Sequence, residues 1–391
     1  MTMGSEEPLS AAIATLPTLG MTLFFVLSGF VIHYNYGQSI GRPGGIRSFA
    51  IARFARLYPL YILVILIAFT YEAASARGAC GSAGVGWLGL GYYLTLTQSW
   101  TYAVICHTPL IFAYGPIAAV TWSISVELFF YLIYIGLGPL IYRQRWSAKI
   151  LVVVAGTAFA AFAAGFAFCV GEPALIEKLS DVIFGPVNSV VPPHAGSLTF
   201  FLLYFNPLAR LGEFLAGVAA AHFVLRDHHP WLSGKTAPFA TTLVALTVIL
   251  IHTFVYGANL SPLARSCASP FAGPSLAVFI YLTSRYASFW SYALSRPLLI
   301  RLGEASYSIY LLHEFFPSAL KRLGIETTNV RLASLIAIAT LGALLISSRC
   351  LYVYFERPAR KWIRERFKRS SKEADGYRSP RRLTSGGGEV T

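Results

Sequence analysis

Long apolar stretches alternate with short polar ones along the chain, and this pattern predicts membrane-spanning helices. A helix needs about 17–25 mainly apolar residues to cross a bilayer. Ten candidate segments lie at 19–36, 57–74, 87–99, 122–142, 150–170, 198–224, 236–256, 272–288, 299–317 and 331–354. We therefore predict an all-α fold, a polytopic integral membrane helical bundle with about 9–10 transmembrane helices.

Composition and charge agree with a membrane protein. The 391 residues are 55% apolar and 12% charged, with a mean hydropathy of +0.60, which excludes the two or three soluble domains that the length would allow. The net charge of +14 would suggest a nucleic-acid partner in a soluble protein. Here the basic residues fall between the apolar segments and in the tail, so no nucleic acid is predicted. The five cysteines are scattered and predict neither a disulfide framework nor a zinc site, with Cys80–Cys106 as a weak disulfide candidate.

The distribution of Lys and Arg predicts how the chain crosses the membrane. Basic clusters lie at 42–56, 143–149, 226–235, 285–301 and in the tail 357–391, and the positive-inside rule places all of them in the cytoplasm. This topology requires that segment 87–99 does not cross the membrane. The result is nine crossings with a cytoplasmic C-terminus and the short N-terminal segment 1–18 outside. An outside N-terminus without a signal peptide favours one further helix upstream of Met1.

Two arginines at one predicted cytoplasmic mouth are the first candidate for chemistry. Arg53 and Arg56, at i and i+3, share a helical face just before Pro59, a residue that suits the first turn of a helix. Two guanidinium groups so placed can hold phosphates bidentately. A positive-inside anchor explains them equally well.

Glu127 and His313 are polar residues inside predicted spans, where insertion of a charged group costs about 2.5–3.5 kcal/mol. Glu127 lies one turn beyond Ser123 and is followed by apolar residues, so it is a candidate general acid or base; neutralisation by an interhelical Arg is the alternative. His313 lies one turn beyond Tyr310, where imidazole could move protons or bond a neighbour. A lone His on an apolar face is more often a packing residue.

Other close charges are interpreted as structural ion pairs, since opposite charges lower each other's cost in the membrane. These pairs are Arg210/Glu213, Arg301/Glu304 and Glu356/Arg357. The chain has no Gly-rich nucleotide loop, HExxH or GxSxG motif, and no metal site is predicted. The chemistry must therefore come from residues on several helices.

Four stretches in order resemble one family. They are GMTLFFVLSGFVI (20–32), RFARLYPLY (53–61), TWSISVELFFY (121–131) and ASYSIYLLHEF (305–315), joined by NPLARLGEFLAG (206–217) and FERPARKW (355–362). At these residues the sequence resembles the membrane acyltransferase-3 family, bacterial O-acyltransferases that acetylate lipopolysaccharide, exopolysaccharide, Nod factors, peptidoglycan or macrolides. The resemblance runs from about Gly20 to Arg360. It implies a transmembrane acyltransferase-3 domain over 19–356, followed by a basic, partly disordered cytoplasmic tail at 357–391.

The resemblance implies transfer of an acyl group, commonly acetyl, from a cytoplasmic acyl-CoA to a hydroxyl of a carbohydrate or lipid-linked glycan in the bacterial inner membrane. Acyl-CoA would be a donor substrate, with no permanently bound cofactor. Arg53 and Arg56 would hold the CoA end, and Glu127 would be an acid/base or structural carboxyl. Ser28, beside Gly29, would allow close helix approach or line the acyl path.

The same motifs contribute further site candidates. His313 is the second catalytic candidate; Ser123 lies in the motif of Glu127 and Tyr307 in that of His313, and neither has an assigned role. Family members typically carry a basic residue and, ten positions later, a histidine on a helix before LFFVLSGF. No His precedes Phe24, so the chain begins after that helix or is a degenerate homologue, and His33 lies on the wrong helix to replace it. The alternative function is a catalytically inactive homologue or a transporter.

Overall fold

The computed structural model describes residues 16–74, 86–105, 107–187, 195–226, 232, 235–257, 261–325 and 329–378. The helices are α1 (Leu16–Tyr36), α2 (Gly45–Ala74), α3 (Gly86–Leu94), α4 (Gly115–Ala119), α5 (Trp122–Gln144), α6 (Ala148–Gly171), α7 (Pro173–Phe184), α8 (Leu198–Phe200), α9 (Pro207–Arg226), α10 (Ala237–Gly257), α11 (Pro262–Cys267), α12 (Gly273–Arg285), α13 (Phe289–Leu294), α14 (Pro297–Glu304), α15 (Ser306–Leu312), α16 (Phe315–Arg322), α17 (Val330–Leu351) and α18 (Arg357–Arg378). Two short strands, β1 (Val104–Ile105) and β2 (Thr108–Pro109), form an antiparallel pair. The predicted all-α bundle is confirmed.

Six helical stretches among the described residues are long and apolar enough to cross a membrane. They are Leu16–Tyr36, Gly45–Thr70, Gly115–Gln144, Ala148–Gly171, Leu198–Arg226 and Val330–Phe367. Two contain a π-helical turn, Phe201–Phe205 before α9 and Tyr352–Glu356 before α18, and two 3₁₀ turns lie at Leu110–Phe112 and Ser269–Ala272. Each stretch overlaps one predicted span.

The other predicted segments are shorter in the structure. Helix α3 has nine residues, about 14 Å at 1.5 Å per residue, too short to cross, as the topology requires. Helix α10 is apolar over Ala237–His252. Helix α12 has thirteen residues, and the segment predicted at 299–317 is broken into α14, α15 and α16. The estimate of nine or ten spans therefore includes segments that the chain builds from shorter helices.

Three of the long helices run parallel. Along α1 and α9, Gly29 lies against Phe214 and His33 against His222. Along α1 and α5, Ser28 contacts Glu127, and further on His33 contacts Tyr134. The C-termini of α1, α5 and α9 therefore meet at one end of the bundle, which we name the basic end.

The basic end collects many of the cationic side chains. Arg143 closes α5 and Arg226 closes α9, while Arg42 lies in the turn after α1. Helix α2 starts at the same end, where Arg364 of α18 lines a cavity with Arg47. This grouping agrees with the predicted topology, although the side of the membrane stays a prediction. Residues 357–378 of the predicted tail are helical. Residues 1–15 and 379–391 lie outside the described residues, as does the Cys80–Cys106 candidate.

Glycines allow the closest helix contact, between α1 and α9. A Cβ atom at Gly217 would lie 1.9 Å from the carbonyl oxygen of Val26, and one at Gly29 would lie 2.0 Å from that of Phe214. Both neighbours are backbone atoms, so only glycine fits at this spacing. Such small-residue contacts let helices associate in a membrane without a hydrophobic driving force.

Three local predictions were wrong. Pro59 lies inside α2, because the helix begins at Gly45 rather than near Arg56. Glu304 pairs with Arg349 of α17 at 2.9 Å, not with its neighbour Arg301. Glu356 pairs with Arg360, one turn further on, because residues four apart share a helical face whereas adjacent residues do not.

Candidate active site

Helix α5 presents polar side chains at successive turns of one face. Ser123, Glu127 and Tyr131 are spaced by four residues, about 6 Å per step along the axis. All three are buried. Each side chain meets a different neighbouring element, so α5 is the axis on which the candidate site is built.

Glu127 lies at the centre of this face. Ser28 Oγ of α1 donates a hydrogen bond to Glu127 Oε1 at 3.3 Å, and the Tyr131 hydroxyl donates to the same oxygen. Only 6% of Glu127 is exposed. The structure therefore joins two predicted site residues, Ser28 and Glu127, and adds Tyr131. Two donors on one carboxyl oxygen hold the group in a fixed orientation, as an acid or base requires.

Arg53 lies on the side of this cluster nearer the basic end. Its guanidinium carbon is 5.0 Å from the centre of the Tyr36 ring and 5.8 Å from the Phe49 and Tyr131 rings. Such contacts are attractive because the ring face is electron-rich. Only 9% of Arg53 is exposed, and its Nε has no hydrogen-bond partner among the described residues. Arg56 is half-buried on the same helix.

A cavity of about 480 Å³ opens beside Tyr36. Tyr36, Arg47 and Ser48 line it from α1 and α2, and Arg364 from α18; we name it the Tyr36 pocket. Because Arg53 packs on the Tyr36 ring, the pocket and the Glu127 cluster share one aromatic wall. Arg53 and the Tyr36 and Tyr131 rings therefore lie between the pocket and the Glu127 carboxyl group.

His313 lies toward the other end of α5, near Ser123. Ser123 Oγ hydrogen-bonds the Tyr310 hydroxyl at 2.7 Å, and the ring centres of Tyr310 and His313 are 5.5 Å apart. His313 Nδ1 contacts the Tyr310 carbonyl oxygen. A carbonyl can only accept, so Nδ1 carries the proton and Nε2 is the basic nitrogen of the neutral ring. His313 is half-buried.

Tyr307 and Ser308 fix helix α15 in place. The Tyr307 hydroxyl donates to the Leu57 carbonyl oxygen of α2 at 2.7 Å, and Ser308 Oγ donates to Glu356 Oε2 at 2.8 Å. Tyr307 is buried. These contacts position the element that carries His313, so the structure gives Tyr307 a positioning geometry rather than direct contact with Glu127.

A buried ion pair lies on the α9 side of the bundle. Arg210 Nη1 is 3.3 Å from Glu213 Oε1, and both side chains are fully buried. Arg210 also donates to the Tyr204 carbonyl at 2.9 Å and to Ser269 Oγ at 3.3 Å. This pair is the structural one that the spacing predicts.

His33 is engaged on both ring nitrogens. Nδ1 lies 3.0 Å from the Tyr134 hydroxyl and Nε2 lies 3.0 Å from His222 Nδ1. It lies at the basic end, away from His313 and Ser123. Within the described ranges, no group of three or more metal-ligating side chains is found.

Comparison with known proteins decides the family. A family model described as an acyltransferase domain matches residues 4–348, a range that includes every predicted site residue. The chain belongs to this acyltransferase family. The resemblance to the membrane acyltransferase-3 family is thereby confirmed, and the protein is a multi-pass membrane O-acyltransferase.

Two curated relatives cover most of the acyltransferase. It is 27% identical to acyltransferase MdmB of Streptomyces mycarofaciens over 368 residues, which is 90% of this chain and 84% of the relative. It is 26% identical to the exopolysaccharide production protein ExoZ of Rhizobium meliloti (strain 1021) over 348 residues, 88% of this chain and 90% of the relative. No solved structure matches the chain significantly.

The structure adds site residues that the sequence reasoning missed. Tyr131 could have been found, because it follows Glu127 by four residues on a helix. No spacing along the sequence indicated that Tyr36, Arg47 and Arg364 lie together. Arg47 and Arg364 are more than 300 residues apart, and only the packing of α18 against the start of α2 brings them to one cavity.

Proposed function

We propose that the acyltransferase moves an acyl group, in the simplest case acetyl, from acyl-CoA to a hydroxyl of a glycan or another envelope-associated acceptor. The proposed location is the bacterial inner membrane, with the C-terminus in the cytoplasm. The observation that carries this proposal is the line from the Tyr36 pocket through Arg53 to Glu127. Arg53 packs on the Tyr36 ring, which lines the cationic cavity, and on the Tyr131 ring, whose hydroxyl donates to the Glu127 carboxyl group.

The Tyr36 pocket takes the nucleotide end of the donor. Arg47 and Arg364 supply charge for the CoA phosphates, which arginine binds bidentately. The Tyr36 ring offers an aromatic surface for the adenine base. Arg53 and Arg56 follow Arg47 along α2 and lie further from the basic end. There they can attract the phosphates nearest the pantetheine arm.

The transfer step then takes place along α5. The acceptor hydroxyl oxygen attacks the thioester carbonyl carbon, a C–O bond forms and the C–S bond breaks. The hydroxyl proton passes to a base, and the CoA sulfur leaves as a thiol after taking up a proton. Glu127, held by Ser28 and Tyr131, is placed to exchange protons with the donor side of this reaction.

His313 serves the acceptor side. Its Nε2 is the basic ring nitrogen, and Tyr310 and Ser123 hold the surrounding turn. Ser123 precedes Glu127 by one turn, about 6 Å along α5, and His313 lies on the far side of Tyr310 from Ser123. An acceptor hydroxyl that enters from the end opposite the basic end reaches His313 first. The relative named for exopolysaccharide production supports a glycan as the acceptor.

The test measures release of CoA thiol by the purified acyltransferase with acetyl-CoA as donor and a glycan, or water in its absence, as the acceptor hydroxyl. Glu127→Gln should lower kcat by about 10²–10⁴-fold, the usual contribution of acid–base catalysis. Glu172→Gln, at an exposed carboxyl after α6, is the matched control and should be unchanged. Full activity in a folded Glu127→Gln protein would refute the role of Glu127.

Donor binding is tested separately. The double variant Arg47→Gln/Arg364→Gln should raise KM for acetyl-CoA at least tenfold while kcat changes little, because these side chains bind the phosphates and not the reacting carbon. An unchanged KM for acetyl-CoA would show that the donor does not bind in the Tyr36 pocket. Acyl analysis of surface polysaccharide from cells with and without the gene then identifies the acceptor.

A further inference from the structure

A second cavity opens at the basic end, apart from the Tyr36 pocket. It encloses about 380 Å³ and is lined by His33, Gln38, Arg42, Tyr142, His222 and Arg226; we name it the His33 pocket. Neither the transfer step nor donor binding uses it.

Hydrogen bonds fix the protons of the two histidines that line it. His222 Nε2 lies 2.9 Å from the Trp146 carbonyl oxygen, which can only accept, so Nε2 carries the proton. His222 Nδ1 is then bare and accepts from His33 Nε2. Both rings are buried, which disfavours a charged ring, so His33 is neutral as well and its bare Nδ1 accepts from the Tyr134 hydroxyl. Every ring nitrogen is used, and both rings are neutral.

The two histidines therefore offer neither charge nor a free N–H to the pocket. Its cationic groups are the guanidinium groups of Arg42 and Arg226. Among the described residues that line it there is no carboxylate, and neither arginine forms an ion pair within the described part of the chain. The part of the pocket built from described residues is thus cationic, with no carboxylate on its lining.

The turn between α1 and α2 holds Arg42 over this cavity. A Cβ atom at Gly41 would lie 2.2 Å from the Tyr142 ring, and one at Gly37 would lie 2.9 Å from the His33 ring. Two glycines therefore let the turn lie directly on the rings. The Arg42 amide donates to the Ser39 carbonyl at 3.0 Å, which fixes the backbone there.

We propose that the His33 pocket binds a phosphate group. Two guanidinium groups from different elements match the several oxygens and the charge of a phosphate. The volume leaves room for an ester substituent on the phosphate. The phosphate belongs either to an anionic lipid headgroup, which lies at the depth of helix ends, or to a soluble phosphate ester.

A competing explanation uses the same arginines. Three helix C-termini meet here, and cations near a C-terminus stabilise the helix. In that case removal of the arginines would lower stability and leave phosphate binding unchanged. Removal of the arginines therefore changes phosphate binding under the first explanation and only protein stability under the second.

The experiment measures binding to the full-length protein, purified in a non-ionic detergent, by isothermal titration. The probes are inorganic phosphate, dioctanoyl-phosphatidylglycerol and dioctanoylglycerol, which has the same acyl chains without the phosphate. The variants are Arg42→Gln and Arg42→Gln/Arg226→Gln. Arg143→Gln is the matched control, since Arg143 is exposed at the same end but does not line the cavity.

Phosphate or phosphatidylglycerol should bind wild type and Arg143→Gln, and dioctanoylglycerol should not. Each arginine removed should weaken binding by about tenfold or more, the worth of a charged hydrogen bond. Binding of the lipid alone identifies a headgroup site, and binding of inorganic phosphate identifies a site for soluble phosphates. Binding of neither probe, an unchanged affinity in the double variant or an equal loss in Arg143→Gln would overturn the proposal.

A geometric variant separates position from charge. Gly41→Ala keeps both arginines but forces the turn off the Tyr142 ring, so phosphate affinity should fall, and Gly41→Ala/Tyr142→Ala should recover it. KM for acetyl-CoA should stay unchanged in Arg42→Gln. This outcome is independent of the Tyr36 pocket, so either proposal can fail alone.

Discussion

Replacement of Gly217 by alanine tests whether the backbone contact between α1 and α9 holds the bundle together. The new Cβ atom would lie 1.9 Å from the Val26 carbonyl oxygen, where real Cβ contacts are essentially never under 3.0 Å. The two helices must therefore separate by about 1 Å. No rotamer change can relieve the clash, because both atoms have fixed positions on the backbone.

The expected loss follows from this displacement. Overpacking of a close-packed interface costs about 1–3 kcal/mol of unfolding free energy. The same shift would lengthen the bond between His33 Nε2 and His222 Nδ1 from 3.0 Å to about 4 Å, beyond hydrogen-bond range. Alanine is a better helix former than glycine by up to about 1 kcal/mol. The measured loss of unfolding free energy is therefore smaller than the overpacking cost by that amount.

Gly165→Ala is the matched control. Gly165 lies within α6, and nothing comes within 4 Å of a Cβ placed there. This change should therefore leave stability equal to wild type or slightly higher. Both variants share the gain in helix propensity, so the difference between them should be about 1–3 kcal/mol.

The assay is thermal unfolding of purified protein in detergent, followed by loss of the monodisperse peak in size-exclusion chromatography. Gly217→Ala should melt clearly below Gly165→Ala. Val26→Ala/Gly217→Ala should melt no higher than Gly217→Ala, because removal of a side chain leaves the carbonyl in place. Equal melting of Gly217→Ala and Gly165→Ala would refute the reasoning.

The remaining predictions concern buried polar groups. Arg210→Met should destabilise the protein by about 3–5 kcal/mol, since it strands the Glu213 carboxyl, and Arg210→Met/Glu213→Leu should recover most of the loss. A double variant no more stable than the single one would contradict this. Tyr307→Phe should cost about 1 kcal/mol through the lost bond to the Leu57 carbonyl, with Tyr34→Phe, an exposed hydroxyl, as control. Both are read by thermal unfolding, and equal melting of the two Tyr variants would be the contrary result.

Much of the fold could be predicted because bilayer-spanning helices show their length in hydropathy alone. The positions at which an apolar segment is divided into shorter helices could not be predicted from hydropathy. No proline lies between Leu299 and Phe316, yet helix α14 ends at Glu304, whose carboxyl group pairs with Arg349 of α17. Composition reports whether a segment suits lipid. It does not report where tertiary contacts interrupt a helix.

The sequence pointed to individual residues of the candidate site, but it did not predict the contacts between them. Glu127 was found because a charge inside a span is rare, and Ser28 because it accompanies a packing glycine. Their hydrogen bond joins helices 99 positions apart in sequence, a contact that no local spacing encodes. Spacing put Arg53 and Arg56 on one helical face, but it did not indicate that packing buries Arg53 among aromatic rings and leaves Arg56 half-buried.

Ser28 and Gly29 explain why packing and chemistry meet at one place. Adjacent residues on a helix point about 100° apart, so α1 can turn Gly29 toward α9 and Ser28 toward α5. The close backbone contact at Gly29 fixes the depth of α1 in the bundle, and this depth decides whether Ser28 Oγ reaches Glu127. A residue larger than glycine at position 29 would thus displace the hydrogen-bond donor of the catalytic candidate. The serine–glycine pair at positions 28 and 29 therefore couples the packing of α1 to the orientation of Glu127.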